Sequence, residues 1–327
     1  SVAAPSAPDE VPADLETAVS NGRAFLARQQ AADGSFDGGG PKVAMTALSL
    51  LAFLASGDTP DVGRYGLVVH AATDYLLSQQ AADGYFGSGD RGMYTHAIAT
   101  LALSQVYGVE PGPERRLRTR AALAKAVRTI LNAQNAPKSE PKYAGGWRYE
   151  RDSPDSDLSL SGWNALALRA ARDVGIEVPD DAIARAADFV MRCYNEAAKG
   201  FGYQPGNDPQ PGETGIGLVC LYVLGAADKQ TGPLDNAVNY LNTHPIDENS
   251  PFPYYAAYYV TQAAFQRGGE AWMKIGRRGL ERLIKQQEKD GGWRQSKTAQ
   301  EPGRVYATAM AVQALAVPYR LLPAYQR

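Results

Sequence analysis

Gln79-Gln80-Ala81-Ala82-Asp83-Gly84-Tyr85-Phe86 occurs almost intact fifty residues earlier, as Gln29-Gln30-Ala31-Ala32-Asp33-Gly34-Ser35-Phe36. It returns more loosely as Gln286-Gln287-Glu288-Lys289-Asp290-Gly291-Gly292-Trp293. Each copy places a glycine four residues after a glutamine and an aromatic residue six after it. Looser relatives are Gly145-Gly146-Trp147 and Gly200-Phe201-Gly202-Tyr203. Each closes a stretch with helical periodicity. A unit that recurs in this way implies a repeat architecture, in which one copy buries its apolar face only against its neighbours.

Downstream of each turn the chain aligns again without gaps, on the column Thr46, His96, Ser161, Thr214, Tyr255 and Thr308. The next residue is always small: Ala47, Ala97, Gly162, Gly215, Ala256, Ala309. Six past the column it is small again: Ala52, Ala102, Ala167, Cys220, Thr261, Ala314. Between these lies a mostly aliphatic column, Leu51, Leu101, Leu166, Val219 and Val260, with Gln313 as the exception. Positions five apart on a helix point about 140° apart, so two small columns let a helix approach a neighbour on each side. These segments, such as Val43–Ala55 and Tyr94–Leu103, carry almost no charge, and a helix apolar on every side is buried.

The segments before the turns read differently. In Trp272–Gln287 the residues Trp272, Ile275, Leu280, Leu283 and Ile284 form one stripe, and Arg277, Arg278, Glu281, Arg282 and Lys285 fill the opposite side. Further outer helices are expected at about 14–30, 69–80, 118–134, 181–195 and 234–242. The pattern predicts an all-α fold, an (α/α)6 toroid: six helix hairpins closed into a ring. An open solenoid needs end repeats with a polar outer face, and the first and last inner helices are as apolar as the middle ones.

The chain has 327 residues and a net charge of −2, which gives no support for a nucleic-acid partner. Hydrophobic residues make up 44%, enough for a sizeable core. The longest uncharged apolar run, Val43–Ala55, is too short to span a bilayer. Two cysteines, Cys193 and Cys220, cannot build a disulfide framework or a Cys-rich zinc site. Residues 1–13, rich in Ala, Pro, Ser and acid, read as a flexible leader of the kind that follows a removed secretory signal, so periplasmic or exported placement is the expectation. Residues 14–327 are expected to form one toroid domain.

The glutamine-glycine-aromatic turns, each followed by a small-residue inner helix, resemble the QW-type repeats of the terpenoid cyclase and protein prenyltransferase superfamily. The resemblance spans about Asp14 to Pro318. Gly145-Gly146-Trp147-Arg148-Tyr149 followed by Asp157-Leu158-Ser159-Leu160-Ser161-Gly162-Trp163 is most similar to bacterial proteins carrying squalene-cyclase-type repeats. The resemblance implies a central cavity for an apolar, isoprenoid-like or other lipid-like ligand. It does not carry over every chemistry of the superfamily. The zinc-holding histidine of prenyltransferases is absent from Arg304-Val305-Tyr306, the cyclase acid motif Asp-x-Asp-Asp is incomplete in Asp155-Ser156-Asp157-Leu158, and no thioester motif is present. No metal and no organic cofactor is expected.

In a closed ring the inner helices run parallel and their N-termini gather at one mouth, where helix dipoles and the nearby Lys42, Arg91, Arg148, Arg151 and Arg304 suit an anionic head group. Asp155, Asp157, Glu213 and His96 are the candidate catalytic residues, because a desolvated carboxyl can serve as a general acid. Asp157 or Ser159 equally suits a helix cap. The fifth repeat departs most, replacing its turn with His244-Pro245-Ile246-Asp247-Glu248-Asn249-Ser250-Pro251-Phe252-Pro253 and then presenting Tyr254, Tyr255, Tyr258 and Tyr259. Candidate ligand-binding residues are Arg91, Arg148, Trp163, Tyr254, Tyr255, Tyr258, Arg304 and Tyr306. Three functions fit these residues: an isoprenoid-binding toroid with or without catalysis, a non-catalytic peptide- or glycan-binding scaffold, and a carbohydrate-active toroid using two facing carboxylates.

Overall fold

The computed structural model describes residues 11–325 apart from 88, 90, 296, 297 and 299. Most of the expected leader, residues 1–10, lies outside them. Six hairpins follow in order. Their outer helices are α1 (Leu15–Ala27), α3 (Gly66–Ser78), α5 (Pro113–Gln134), α7 (Asp180–Arg192), α9 (Thr231–Thr243) and α11 (Arg277–Gln286). Their inner helices are α2 (Lys42–Ala55), α4 (Gly92–Val109), α6 (Leu158–Asp173), α8 (Pro211–Val223), α10 (Pro253–Arg267) and α12 (Gly303–Leu315). Each inner helix packs on the next, and α12 packs back on α2. The ring is closed, and the fold is an all-α toroid.

The small columns explain the closeness of the inner ring. A Cβ at Gly215 would fall 2.8 Å from the backbone of Tyr259 and Val260 on α10, so only glycine lets α8 approach there. The inner helices are buried almost throughout. No helix among the described residues is long and apolar enough to cross a membrane.

The turns tie neighbouring hairpins together. Gln30 Nε2 donates to the Gly34 carbonyl of its own turn and to Val68 of the next outer helix, at 3.1 and 2.9 Å. Gln80 repeats this with Gly84 and Ala122, Gln134 with Gly145 and Ala182, and Gln287 with Gly291 and, across the ring closure, Ala18. Each amide thus closes its own turn and ties it to the backbone of the neighbouring outer helix. The turn glycine meets a double demand: Gly84 has φ +93°, and a Cβ there would press on Lys125 of α5.

The polar column also has one job. Phe36 N–H donates to Thr46 Oγ1, Trp147 N–H to Ser161 Oγ, Phe201 N–H to Thr214 Oγ1 and Trp293 N–H to Thr308 Oγ1, at 2.8 to 3.0 Å. His96 does the same work. Its Nδ1 accepts from Phe86 N–H at 3.2 Å, and its Nε2 lies 3.0 Å from the Ala126 carbonyl. That geometry requires the Nε2–H tautomer, and burial lowers the ring's pKa to about 4. Both nitrogens are engaged in the wall, so His96 is a structural acceptor and not a free base. Tyr255 departs from the column: it receives no turn N–H and its hydroxyl is buried without a partner.

Two further differences from the sequence reading have local causes. The last outer helix is not continuous α-helix over 272–287 but begins with a π-helical stretch, Trp272–Gly276. Gly276 leaves room for the Trp272 ring, which stands edge-on to Phe265 at 5.3 Å. The fourth turn is a short hairpin, Tyr194–Asn195 paired with Gly200–Phe201. Beyond α12 the chain crosses the C-terminal ends of the inner helices, where Ala324 N–H donates to Gln105 and Tyr325 meets Tyr258 edge-on at 6.1 Å. This segment closes the far end of the ring.

Candidate active site at the mouth of the inner ring

Five of the six inner helices send a polar or aromatic side chain inward from their first turn. Tyr94 comes from α4, Asp157 and Ser159 from the start of α6, Glu213 from α8, Tyr255 from α10 and Tyr306 from α12. Burial, and after it the nearby Glu213, Tyr94, Tyr306 and Asp157, hold the Tyr255 hydroxyl well above the usual tyrosine range. Burial does the same to Tyr94 and Tyr306. These tyrosines and carboxyls lie near one another at the N-terminal end of the inner ring, at the head of its axial shaft.

Asp157 is the most constrained carboxyl in it. It caps α6: Oδ1 accepts from Leu160 N–H and from Ser159 Oγ–H, both at 2.9 Å. Tyr94 OH lies 2.5 Å from Ser159 Oγ, so a chain of hydroxyls links the shaft to the carboxyl. Oδ2 is buried with no hydrogen-bond partner, and Arg148 Nε stands 3.6 Å away. Burial raises the Asp157 pKa to about 6, against the opposing pull of Leu160, Ser159 and Arg148. Tyr149 and Tyr203 form a hydroxyl pair of 2.8 Å beside it, with the Arg148 guanidinium over both rings.

Burial raises the Glu213 pKa, opposed by its own backbone N–H and helped by the nearby Asp157 charge. Glu301, which the repeat pattern does not single out, is a third carboxyl at this end. Its Oε1 accepts from the N–H groups of Tyr254 and Tyr255 at 3.0 and 2.8 Å and so caps α10 from the following loop. Its Oε2 is buried without a partner, and burial lifts its pKa to about 8.

The remaining candidates separate. Asp155 accepts from Arg148 and Gln204 beside the mouth. Arg91 is exposed and lies over the Tyr149 ring at 5.2 Å. Arg304 pairs with Glu288 and Asp290 and covers Phe25, on the outer side. Trp163 and Tyr258 pack on Tyr259 inside the ring wall. Tyr254 turns away from its neighbour Tyr255 and donates to the Arg294 carbonyl beside a groove on the outer wall. Arg148, Arg151, Arg304 and Lys42 all sit beside carboxylates. Of the five mouth cations, Arg91 alone lacks an ion pair among the described residues. No group of three or more His, Cys, Asp or Glu side chains that could hold a metal is found among the described residues.

A family model, the prenyltransferase alpha-alpha toroid domain, matches residues 13–252. The chain belongs to this family. Solved structures extend the likeness to nearly the whole chain. The type II terpene cyclase MstE from Scytonema is 15% identical with a TM-score of 0.63, covering 94% of this chain and 99% of that one. The α-1,6-mannanase GH76A of Salegentibacter sp. HEL1_6 is 11% identical with a TM-score of 0.69, covering 94% and 100%. A variant of MstE in complex with its substrate geranylgeranyl dihydroxybenzoate aligns at a TM-score of 0.55 with 14% identity, covering 94% and 98%. These likenesses show a shared toroid and leave the chemistry to the side chains. No curated protein matches the chain in sequence.

Proposed function

We propose that the shaft takes up an apolar, isoprenoid-sized ligand with a neutral oxygenated end, and that Asp157 is its proton donor. The observation that carries this is the asymmetry of the Asp157 carboxyl among tyrosine rings. Oδ1 is fixed by two donors, while Oδ2 is buried without a hydrogen bond, 3.6 Å from the Arg148 guanidinium. Burial keeps a proton on the acid to about pH 6. Tyrosine faces around it suit positive charge developing on a protonated hydrocarbon. The neutral end follows from the mouth. Most of its arginines are already paired with carboxylates, which leaves little positive charge for an anionic end. A second reading, glycan hydrolysis, draws on Asp157 and Glu213 facing one space.

The test is turnover of geranylgeraniol, an isoprenoid with a neutral hydroxyl end, and of α-1,6-mannotriose by the protein and by Asp157→Asn. The asparagine Oδ1 keeps the cap on Leu160 and Ser159 while the proton is lost. Conversion of the isoprenoid, reduced about 10²–10⁴-fold in Asp157→Asn, is the expected result. The rate should fall as pH rises through about 6, because the acid must be protonated. Hydrolysis of the mannotriose would favour the second reading, and no binding of either compound would overturn both.

A further inference from the structure

The fifth hairpin lacks the glutamine-glycine-aromatic turn. In the third and sixth hairpins the turn tryptophan fills the space behind its inner helix and bonds the outer helix, Trp147 Nε1 to the Ile130 carbonyl and Trp293 Nε1 to Leu283. Among the described residues no tryptophan does this for α10. In its place a groove of about 580 Å³ lies over α10, between α9 and α11 and behind the 244–253 segment. It is on the outer wall, apart from the shaft.

Its floor is apolar, with Ile246, Tyr254, Val260 and Ile275. Its rim carries four cations, Lys274, Arg278, Arg282 and Arg294, against two carboxylates, Glu248 and Glu288. Lys274, Arg282 and Arg294 each have an acidic partner. Arg278 has none among the described residues. Thr261, 2% exposed, also lines the groove. One wall is the π-helical stretch, a rare geometry concentrated at functional positions.

We propose that this groove is a second ligand site, for an amphiphile whose apolar chain lies along Ile246, Val260 and Ile275 and whose single anionic head pairs with Arg278. The excess of cations at the rim and the apolar residues of the floor match that chemistry together. A long-chain carboxylate, an alkyl phosphate and a membrane lipid with an anionic head group all present it.

Dodecyl phosphate, titrated calorimetrically into the full chain below its micelle concentration, should bind one molecule per chain. Arg278→Ala, an exposed change, should weaken binding about tenfold, since removing one charge-assisted contact costs roughly that much. Ala257→Trp, which fills the groove, should abolish binding. Glu213→Gln, in the shaft, should leave it unchanged. Sedimentation of the protein with phosphatidylglycerol vesicles, lost in Arg278→Ala, would identify a membrane lipid as the source; titration alone would identify a free amphiphile. Binding insensitive to Arg278→Ala, or lost in Glu213→Gln, would place the molecule elsewhere and overturn the proposal.

Discussion

The third and fifth hairpins perform the same architectural task with different parts. In the third, Gln134 spans two carbonyls and Trp147 is sealed between α5 and α6, at 1% exposure. Ser161 receives its N–H. In the fifth, none of these ties exists. The start of α10 is capped by Glu301 from the next loop, Tyr255 points into the shaft, and a groove stays open behind. The regular turns engage their glutamine, their aromatic residue and the polar-column residue in holding the wall. Where that turn is missing, Tyr255 in the polar column receives no turn N–H among the described residues.

The largest effect that would break this comparison comes from the aromatic itself. Trp147→Ala removes a sealed ring, leaves a cavity and strands the Ile130 carbonyl, and should cost about 3–5 kcal/mol in urea unfolding. Phe252→Ala, in the fifth turn and 42% exposed, should stay within about 0.5 kcal/mol. Equal losses at the two positions would mean that the fifth turn is as tightly built as the third, and the distinction would fail.

A smaller effect sharpens it. Glu301 replaces a turn with a buried carboxyl whose pKa in the fold is about 8. A carboxyl raised in the folded state contributes most when protonated. Stability from Glu301 is therefore fully present below about 4.5, its ordinary value, and is lost as pH rises through about 8. The slope contributed by this single group is at most about 1.4 kcal/mol per pH unit. Glu301→Gln keeps an acceptor for Tyr254 and Tyr255 and cannot ionise. Urea unfolding at pH 5 and pH 8 should show the wild-type protein weakening and the variant weakening much less. Parallel behaviour would show that Glu301 is not held in the uncharged form.

Most of the ring was legible in sequence, because close helix packing leaves small residues at fixed spacing and turns leave glycine. The polar column was legible as a pattern but not as a function. That Thr46, His96 and Ser161 each accept a turn N–H depends on loop lengths that differ from hairpin to hairpin. His96 therefore looked chemical when it was a longer threonine. The shaft was legible in part. Asp157, Glu213, Tyr255 and Tyr306 were named from the sequence and lie near one another, whereas Tyr94 was not named and Ser159 was named only as a cap, although each sits two residues before the polar column, as Tyr306 does. Glu301 left no local signal, because it acts on a helix start 47 residues upstream. Tyr254 and Tyr255 are adjacent, so about 100° of helix rotation sends one to the outer groove and the other to the shaft. Arg304 read as a mouth cation because its partners Glu288 and Asp290 stand 16 and 14 residues earlier, at the far end of the same turn.

The smallest effect tests whether the glutamines are wall or surface. Gln80 is only half-buried, so a surface role would make its removal nearly silent. Its amide, however, donates at 2.9 Å to Gly84 of its own turn and at 2.9 Å to Ala122 of α5. Gln80→Ala leaves two carbonyls without their donor at a junction between hairpins. Water reaches one side of that junction and can replace part of the loss. The expected cost is about 1–2 kcal/mol, below that of Trp147→Ala and above that of an exposed glutamine. Gln79→Ala is the internal control. Its amide reaches only Ser78, on an exposed surface, so it should change stability by less than about 0.5 kcal/mol. If both substitutions are silent, the glutamine ties do not hold the hairpins together, and the small-residue contacts of the inner ring carry closure alone.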